Sequence, residues 1–221
     1  MVAFKKATIA DMINHMASHE NHLRIHSIDS LAETLDTHKI STDSWGKEGT
    51  KTVEDLYDEL ERGEATLLVA TEGLQKYITT VKVNVFYRDE SGLYRLVEAV
   101  QNNLVARTWR HRGLNNSLSE KRHAAYGETP LQAARRALHE EIGVEQALAL
   151  EQTAEIIHPA KVERNYSPIP TINETQYFQA SLRVENYDPR GYVEEQPTKR
   201  TYFHWEEYPD ETIVEVPFHD I

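Results

Sequence analysis

The stretch "GETPLQAARRALHEEIGV", residues 127–144, decides how the chain is read. Thr129 is a good N-cap, Pro130 suits the first helical position and Gly143 suits the left-handed residue that ends a helix, so a helix is expected over 130–142. Leu131, Ala134, Leu138 and Ile142 recur at steps of three and four, and that face is expected to enter a core. Another face carries Arg136, Glu140 and Glu141. Neighbouring carboxylates that project the same way repel, and a cation relieves the cost. Hard oxygen ligands select Mg2+, Mn2+ or Ca2+, and Mg2+ is commonly held by one or two carboxylates together with substrate phosphates. The plainer reading, a solvated face with an Arg136–Glu140 pair, stays open on these residues alone.

Upstream lies a polar segment, "RHRGLNNSLSEKRHAAYGET", residues 110–129, read as a loop. With its approach it concentrates Arg107, Arg110, His111, Arg112, Lys121, Arg122 and His123 in an otherwise acidic chain. Arginine offers a bidentate fork to phosphate oxygens. Strand alternation would send Arg110 and Arg112 to one side, so these two are the leading anion-binding candidates, with Lys121 and Arg122 next. Trp109 and Tyr87 are aromatic candidates for a base or sugar, although a lone aromatic on a strand is more often core.

Further out, alternation from Ala65 predicts a short strand, a turn at Glu72–Gly73, a long strand from about 77 to 87, a "RDESG" turn and a returning strand. "NLVARTW" reads as another strand, and more are expected near 154–158, 176–185 and 201–206. Residues 1–62 read as mainly helical: Thr8 can cap one helix, Ser27 or Ser30 a second, and "TVEDLYDELERG" opens on a Thr52-x-x-Asp55 capping pattern and stops at Gly63. His15, His19, His22 and His26 would form one stripe if a single helix ran that far. Four ligands from one straight helix cannot surround an ion, so they are read as half-buried.

The whole chain, 221 residues with 39% apolar content, suits one main domain over 64–221 preceded by a helical extension over 1–63. A net charge of -12 disfavours free nucleic acid and anionic membrane as partners, yet a local basic pocket can still take a small phosphorylated ligand, since salt screens the diffuse field over ~8 Å. The absence of cysteine excludes disulfides, thiolate metal sites and a cysteine nucleophile. No apolar run suits a signal peptide or a spanning helix, and a cytoplasmic location is expected. Serine-hydrolase, P-loop and dinucleotide-binding signatures are absent from the sequence.

The helix and its approach resemble the Nudix box, G-x5-E-x7-R-E-U-x-E-E-x-G-U, where U is bulky and apolar. Glu128, Arg136, Leu138, Glu140, Glu141, Gly143 and Val144 match seven of its nine specified positions. Arg122 and Ala137 depart from it, where the family has glycine and glutamate. The resemblance implies an α/β (α+β) fold, an α/β/α sandwich with a mixed central β-sheet. It also implies a pyrophosphohydrolase, dependent on Mg2+ or Mn2+, that cleaves a nucleoside diphosphate linked to another moiety. Glu140, Glu141 and Glu128 would hold metal, and Arg136 would orient a carboxylate. Ala137 leaves one family carboxylate missing, and Glu195, Glu194, Glu174 and Glu120 are the acids expected to replace it. The alternative is a Nudix-fold module that binds a nucleotide or phosphometabolite without turnover. The extension over 1–63 is a candidate lid, scaffold element or arm of a homodimer.

Overall fold

The computed structural model describes residues 22–114 and 118–209, which form a mixed α+β structure divided into two compact units. Of the described residues, one unit comprises 22–78 and 159–173, the other 79–114, 118–158 and 174–209.

In the first unit, β1 (His22–Leu23) pairs antiparallel with β2 (Thr66–Ala70), which turns at 71–72 into the start of β3 (Gly73–Asp89). Helices α1 (Ile28–Thr37) and α2 (Val53–Glu61) each begin at a reciprocal capping box. In α1 the Ser27 hydroxyl accepts the Ser30 amide and Ser30 accepts that of Ser27, while in α2 Thr52 and Asp55 do the same, so orphan N–H groups at each end are satisfied. Leu31, Leu35 and Leu56 project from the helices into a core with Leu67, Leu74, Trp45, Tyr166 and Ile169. The helix expected from Thr8, with His15 and His19, lies outside the described residues. His22 sits on a strand and His26 just before the α1 cap, both exposed, so no single helix carries the histidine stripe. Pairing of His22–Leu23 with Leu67–Leu68 and the fresh cap at Ser27 end that possibility.

In the second unit the rest of β3 forms a hairpin with β4 (Gly92–Asn103), closed at Asp89↔Gly92 as the "RDESG" pattern predicts. β4 also pairs with β5 (Thr108–Leu114) and β10 (Lys199–Glu207), β10 with β9 (Tyr192–Glu195), and β3 with β6 (Leu118–Lys121), all antiparallel. β8 (Pro170–Ser181) pairs with β3 and with β7 (Ala149–Val162). Helix α3 (Pro130–Ile142) has the predicted bounds, capped by Thr129 and ended by Gly143 at φ 70.

Three expectations are corrected. Of the helix face read from the sequence, Ala134, Leu138 and Ile142 enter the core but Leu131 is 37% exposed; Ala133 and Ala137 complete the buried face, packed with Val81, Val83, Leu96, Leu118, Phe178 and Phe203. Alanines let the helix approach the sheet closely, and their small apolar signal leaves Ala133 and Ala137 out of the face read from the sequence. "NLVARTW" is not one strand: the Asn103 side-chain oxygen accepts the amides of Val105 and Ala106, and Arg107 adopts φ 52, so 104–107 is a turn. The segment read as loop, 110–129, holds all but the first two residues of β5 and the whole of β6.

Candidate active site

Strand β6 pairs with β3 along one edge, with Val81↔Glu120 and Val83↔Leu118. Its other edge is taken by side chains from α3. Glu141 Oε1 accepts the Ser119 amide at 3.1 Å, and Arg136 Nη2 donates to the Lys121 carbonyl at 2.7 Å. Residues 119 and 121 are two apart and expose their main-chain groups to the same side, so α3 occupies what would otherwise be an open sheet edge.

Arg136 is the hub. Its guanidinium donates from Nε to Glu128 Oε1 at 2.8 Å, from Nη2 to Glu128 Oε2 at 3.2 Å, and from Nη1 to Glu120 at 2.5 Å and Glu140 at 3.2 Å. Burial would lower its pKa, but the hydrogen bonds to Glu128 and Glu120 reverse this and raise it above the ordinary arginine value. Burial would likewise lift Glu128, yet Arg136 and the His123 amide, which donates to it at 2.7 Å, hold it below the usual carboxylate range. Glu120 is raised, because burial outweighs its bond to Arg136 and the Glu140 charge adds to the effect.

Glu140 and Glu141 part company. Glu140 is exposed and turns to Arg136. Glu141 is pushed up to about 9 by burial first, then by the charges of Glu194 and Glu120, against the opposing pull of the Ser119 amide and Lys199. Glu194, on β9, is itself buried, accepts from Gln196 Nε2, and lies 3.7 Å from Lys199 Nζ.

The remaining candidates separate. Glu195 is exposed and bridges to Arg200 at 2.9 Å, and Glu174, on β8, accepts from Gln176. Arg110 is exposed on β5 opposite Gln101, and Arg112 lies on the same strand. Arg122 donates its main-chain amide to Thr79, while its Nε is buried without a hydrogen-bond partner. Lys121 serves Arg136 through its carbonyl. Tyr87 is core, stacked on Tyr187 at 3.7 Å, whereas Trp109 is 61% exposed beside Tyr202. Sequence reasoning did not single out Lys199. Alternation along "KRTYFHWE" could have found it, since Lys199, Thr201 and Phe203 share a face with the last of these in the core.

Among the described residues no three His, Asp or Glu side chains converge into a ready metal cage. The donor chemistry nevertheless fits a hard divalent cation: all are carboxylate oxygens, and Glu141 carries the repulsion of Glu194 and Glu120 that such an ion relieves.

No family model matches the chain, and no curated protein does. Several solved structures resemble it. The E. coli dihydroneopterin triphosphate pyrophosphohydrolase is 19% identical over 58% of this chain and 80% of its own, with a TM-score of 0.37. The NUDIX domain of Shewanella oneidensis NrtR, complexed with ADP ribose, is 16% identical over 59% and 73%, with a TM-score of 0.36. A C. elegans Ap4A hydrolase in a binary complex is 14% identical over 59% and 80%, with a TM-score of 0.32. Among the described residues no helix is long and apolar enough to cross a membrane.

Proposed function

We propose that the chain is a divalent-metal-dependent pyrophosphohydrolase of the Nudix type, acting on a nucleoside diphosphate joined to another group. The observation that carries this reading is Glu141, held by the Ser119 amide and placed within the influence of both Glu120 and Glu194. Glu141, Glu140 and Glu120 would hold Mg2+ or Mn2+, with Glu128 acting through Arg136, which it grips. A divalent ion bound there supplies polarisation of a phosphoryl oxygen and a more acidic water.

The acid missing at Ala137 is replaced, on this reading, by Glu194. Its carboxylate takes a proton from the attacking water as the water oxygen bonds to phosphorus. The bond from that phosphorus to the bridging oxygen breaks, and the leaving phosphate departs with its electron pair. Arg136 keeps Glu120 and Glu140 oriented, and Glu194 is held on β9 by its contacts with Gln196 and Lys199.

A second reading, a binding module without turnover, rests on Ala137, which is fully buried and carries no carboxylate where the family has one. A panel of about a dozen nucleoside diphosphate conjugates with Mg2+ or Mn2+, followed by phosphorus NMR, separates the two. Hydrolysis by the wild type, lost by about 10²-fold or more in Glu141→Gln, supports the enzyme. Binding of conjugates with no metal-dependent turnover supports the module.

A further inference from the structure

The face of the sheet that receives α3 changes character along β4, β9 and β10. Under the helix it is apolar, with Leu96, Phe203 and Tyr192 in or against the core. Beyond it, the register aligns Arg110 with Gln101, Gln101 with Thr201, and Thr201 with Glu194, one residue from each of four adjacent strands. Residues opposite one another on neighbouring strands point to the same face, so these side chains form one polar row, about 14 Å across at the usual strand spacing. Lys199, two residues before Thr201, projects from the same face and reaches Glu194.

Two features of this row are unexplained by folding alone. Thr201 is 2% exposed, and its Oγ1 has no hydrogen-bond partner, although a buried hydroxyl is ordinarily satisfied. Lys199 Nζ stands 3.7 Å from Glu194, beyond hydrogen-bond length, so that carboxylate does not use up its three N–H donors. The charge of Lys199 also acts on Glu141, so the ammonium lies within electrostatic reach of the candidate active site. A hydroxyl without a partner and an ammonium with donors to spare, on one face beside carboxylates, form a seat for an anionic oxygen.

We infer that Lys199 and Thr201 hold a phosphate of the substrate, with Arg110 at the far end of the row gripping a second anionic or hydroxyl-bearing part of the same molecule. This deepens the pyrophosphohydrolase reading and rests on it. The ligand class that fits is a diphosphate whose two ends extend along the row, not an isolated phosphate at one point. Lys199 and Thr201 bind phosphate oxygens and take no part in moving the proton, which is assigned to Glu194.

The test is calorimetric titration of the full chain with α,β-methylene-ADP and Mg2+, a non-hydrolysable probe, alongside steady-state kinetics on the best substrate of the conjugate panel. Lys199→Met is expected to weaken probe binding by about 10- to 100-fold and to raise KM by a similar factor, with kcat much less affected. Lys199→Arg should restore binding to within a few-fold, which a merely structural role for Lys199 would not require. Thr201→Val, isosteric and without the unsatisfied hydroxyl, should weaken the probe while leaving the folded state as stable or more so. Wild-type binding and turnover with Lys199→Met unchanged in both would overturn the phosphate seat and leave the enzyme reading standing. A wild type that neither binds the probe nor hydrolyses any conjugate would overturn both.

Discussion

Arg136 and Glu128 are joined by two contacts, Nε to Oε1 at 2.8 Å and Nη2 to Oε2 at 3.2 Å, so the guanidinium fork meets both oxygens of one carboxylate. Because Glu128 precedes the cap of α3 and Arg136 lies in the helix, the pair ties the loop to the helix that carries the acids. Glu120 and the Lys121 carbonyl extend the same tie to β6.

Lysine cannot reproduce that geometry, because it offers a single charged nitrogen where arginine supplies a planar array. Arg136→Lys should lower unfolding free energy by about 1–3 kcal/mol, less than for a fully buried pair because the side chain keeps 19% exposure. Urea denaturation gives the value. Unchanged stability together with unchanged turnover would remove Arg136 from its role as the hub.

The acid at 141 makes stability depend on pH in an unusual direction. Its pKa is about 9 in the folded chain and roughly 4.3 when unfolded. Between those values the folded state holds a proton that the unfolded state has released, so stability falls as pH rises through the window. Glu141→Gln has no proton to lose there. Its melting temperature should match the wild type near pH 4 and exceed it increasingly towards pH 9, by scanning calorimetry without divalent ions. Added Mg2+ should stabilise the wild type at pH 8 more than the variant. Parallel profiles for the two proteins would mean that Glu141 is an ordinary exposed acid.

What could be read from the sequence was mostly local. The ends of α2 and α3 follow from caps that act within four residues, Thr52 with Asp55 and Thr129 with Gln132, and both helices stand where those caps put them. The box pointed to Arg136 and Glu141 for the same reason. Contacts between distant segments were hidden: Glu120 with Arg136 spans sixteen residues, and the influence of Glu194 on Glu141 depends on β9, a four-residue strand too short to show alternation. The face of α3 was legible at Ala134, Leu138 and Ile142 and misread only at Leu131, because hydrophobic periodicity weights leucine above Ala133 and Ala137, whereas close packing against the sheet selects the smaller residue.

Ala137 has zero exposure, surrounded by the core that α3 shares with the sheet. Restoring the family residue there would force extra atoms and a carboxylate into packed space, combining overpacking of about 1–3 kcal/mol with the desolvation of a charge. Ala137→Glu should therefore lower the melting temperature by about 5 °C or more and leave turnover per folded molecule no higher. Circular dichroism melts paired with active-site titration check both parts. A stable variant with faster turnover would show that the position opens towards the acids, and would return Glu194 to an incidental role.

The first unit contains its own buried charge, Glu59, at 1% exposure. Its carboxylate meets the ammonium of Lys51 and lies 3.4 Å from that of Lys76, and the Lys76 ammonium rests 4.2 Å from the centre of the Tyr166 ring. Burial first, then the Glu59 charge, raises the Tyr166 pKa, so the phenol stays neutral beside the carboxylate. Removing the anion would take a charge partner from two ammoniums, one of them almost fully enclosed. Glu59→Ala should cost about 3–5 kcal/mol, the range for breaking a buried pair, whereas Glu59→Leu combined with Lys76→Met should recover most of that loss, because apolar groups of similar size leave no charge to solvate. Guanidinium unfolding of the three proteins decides it. If the double variant is as unstable as Glu59→Ala, the network is needed for the packing of α2 against Tyr166 and not merely tolerated within it.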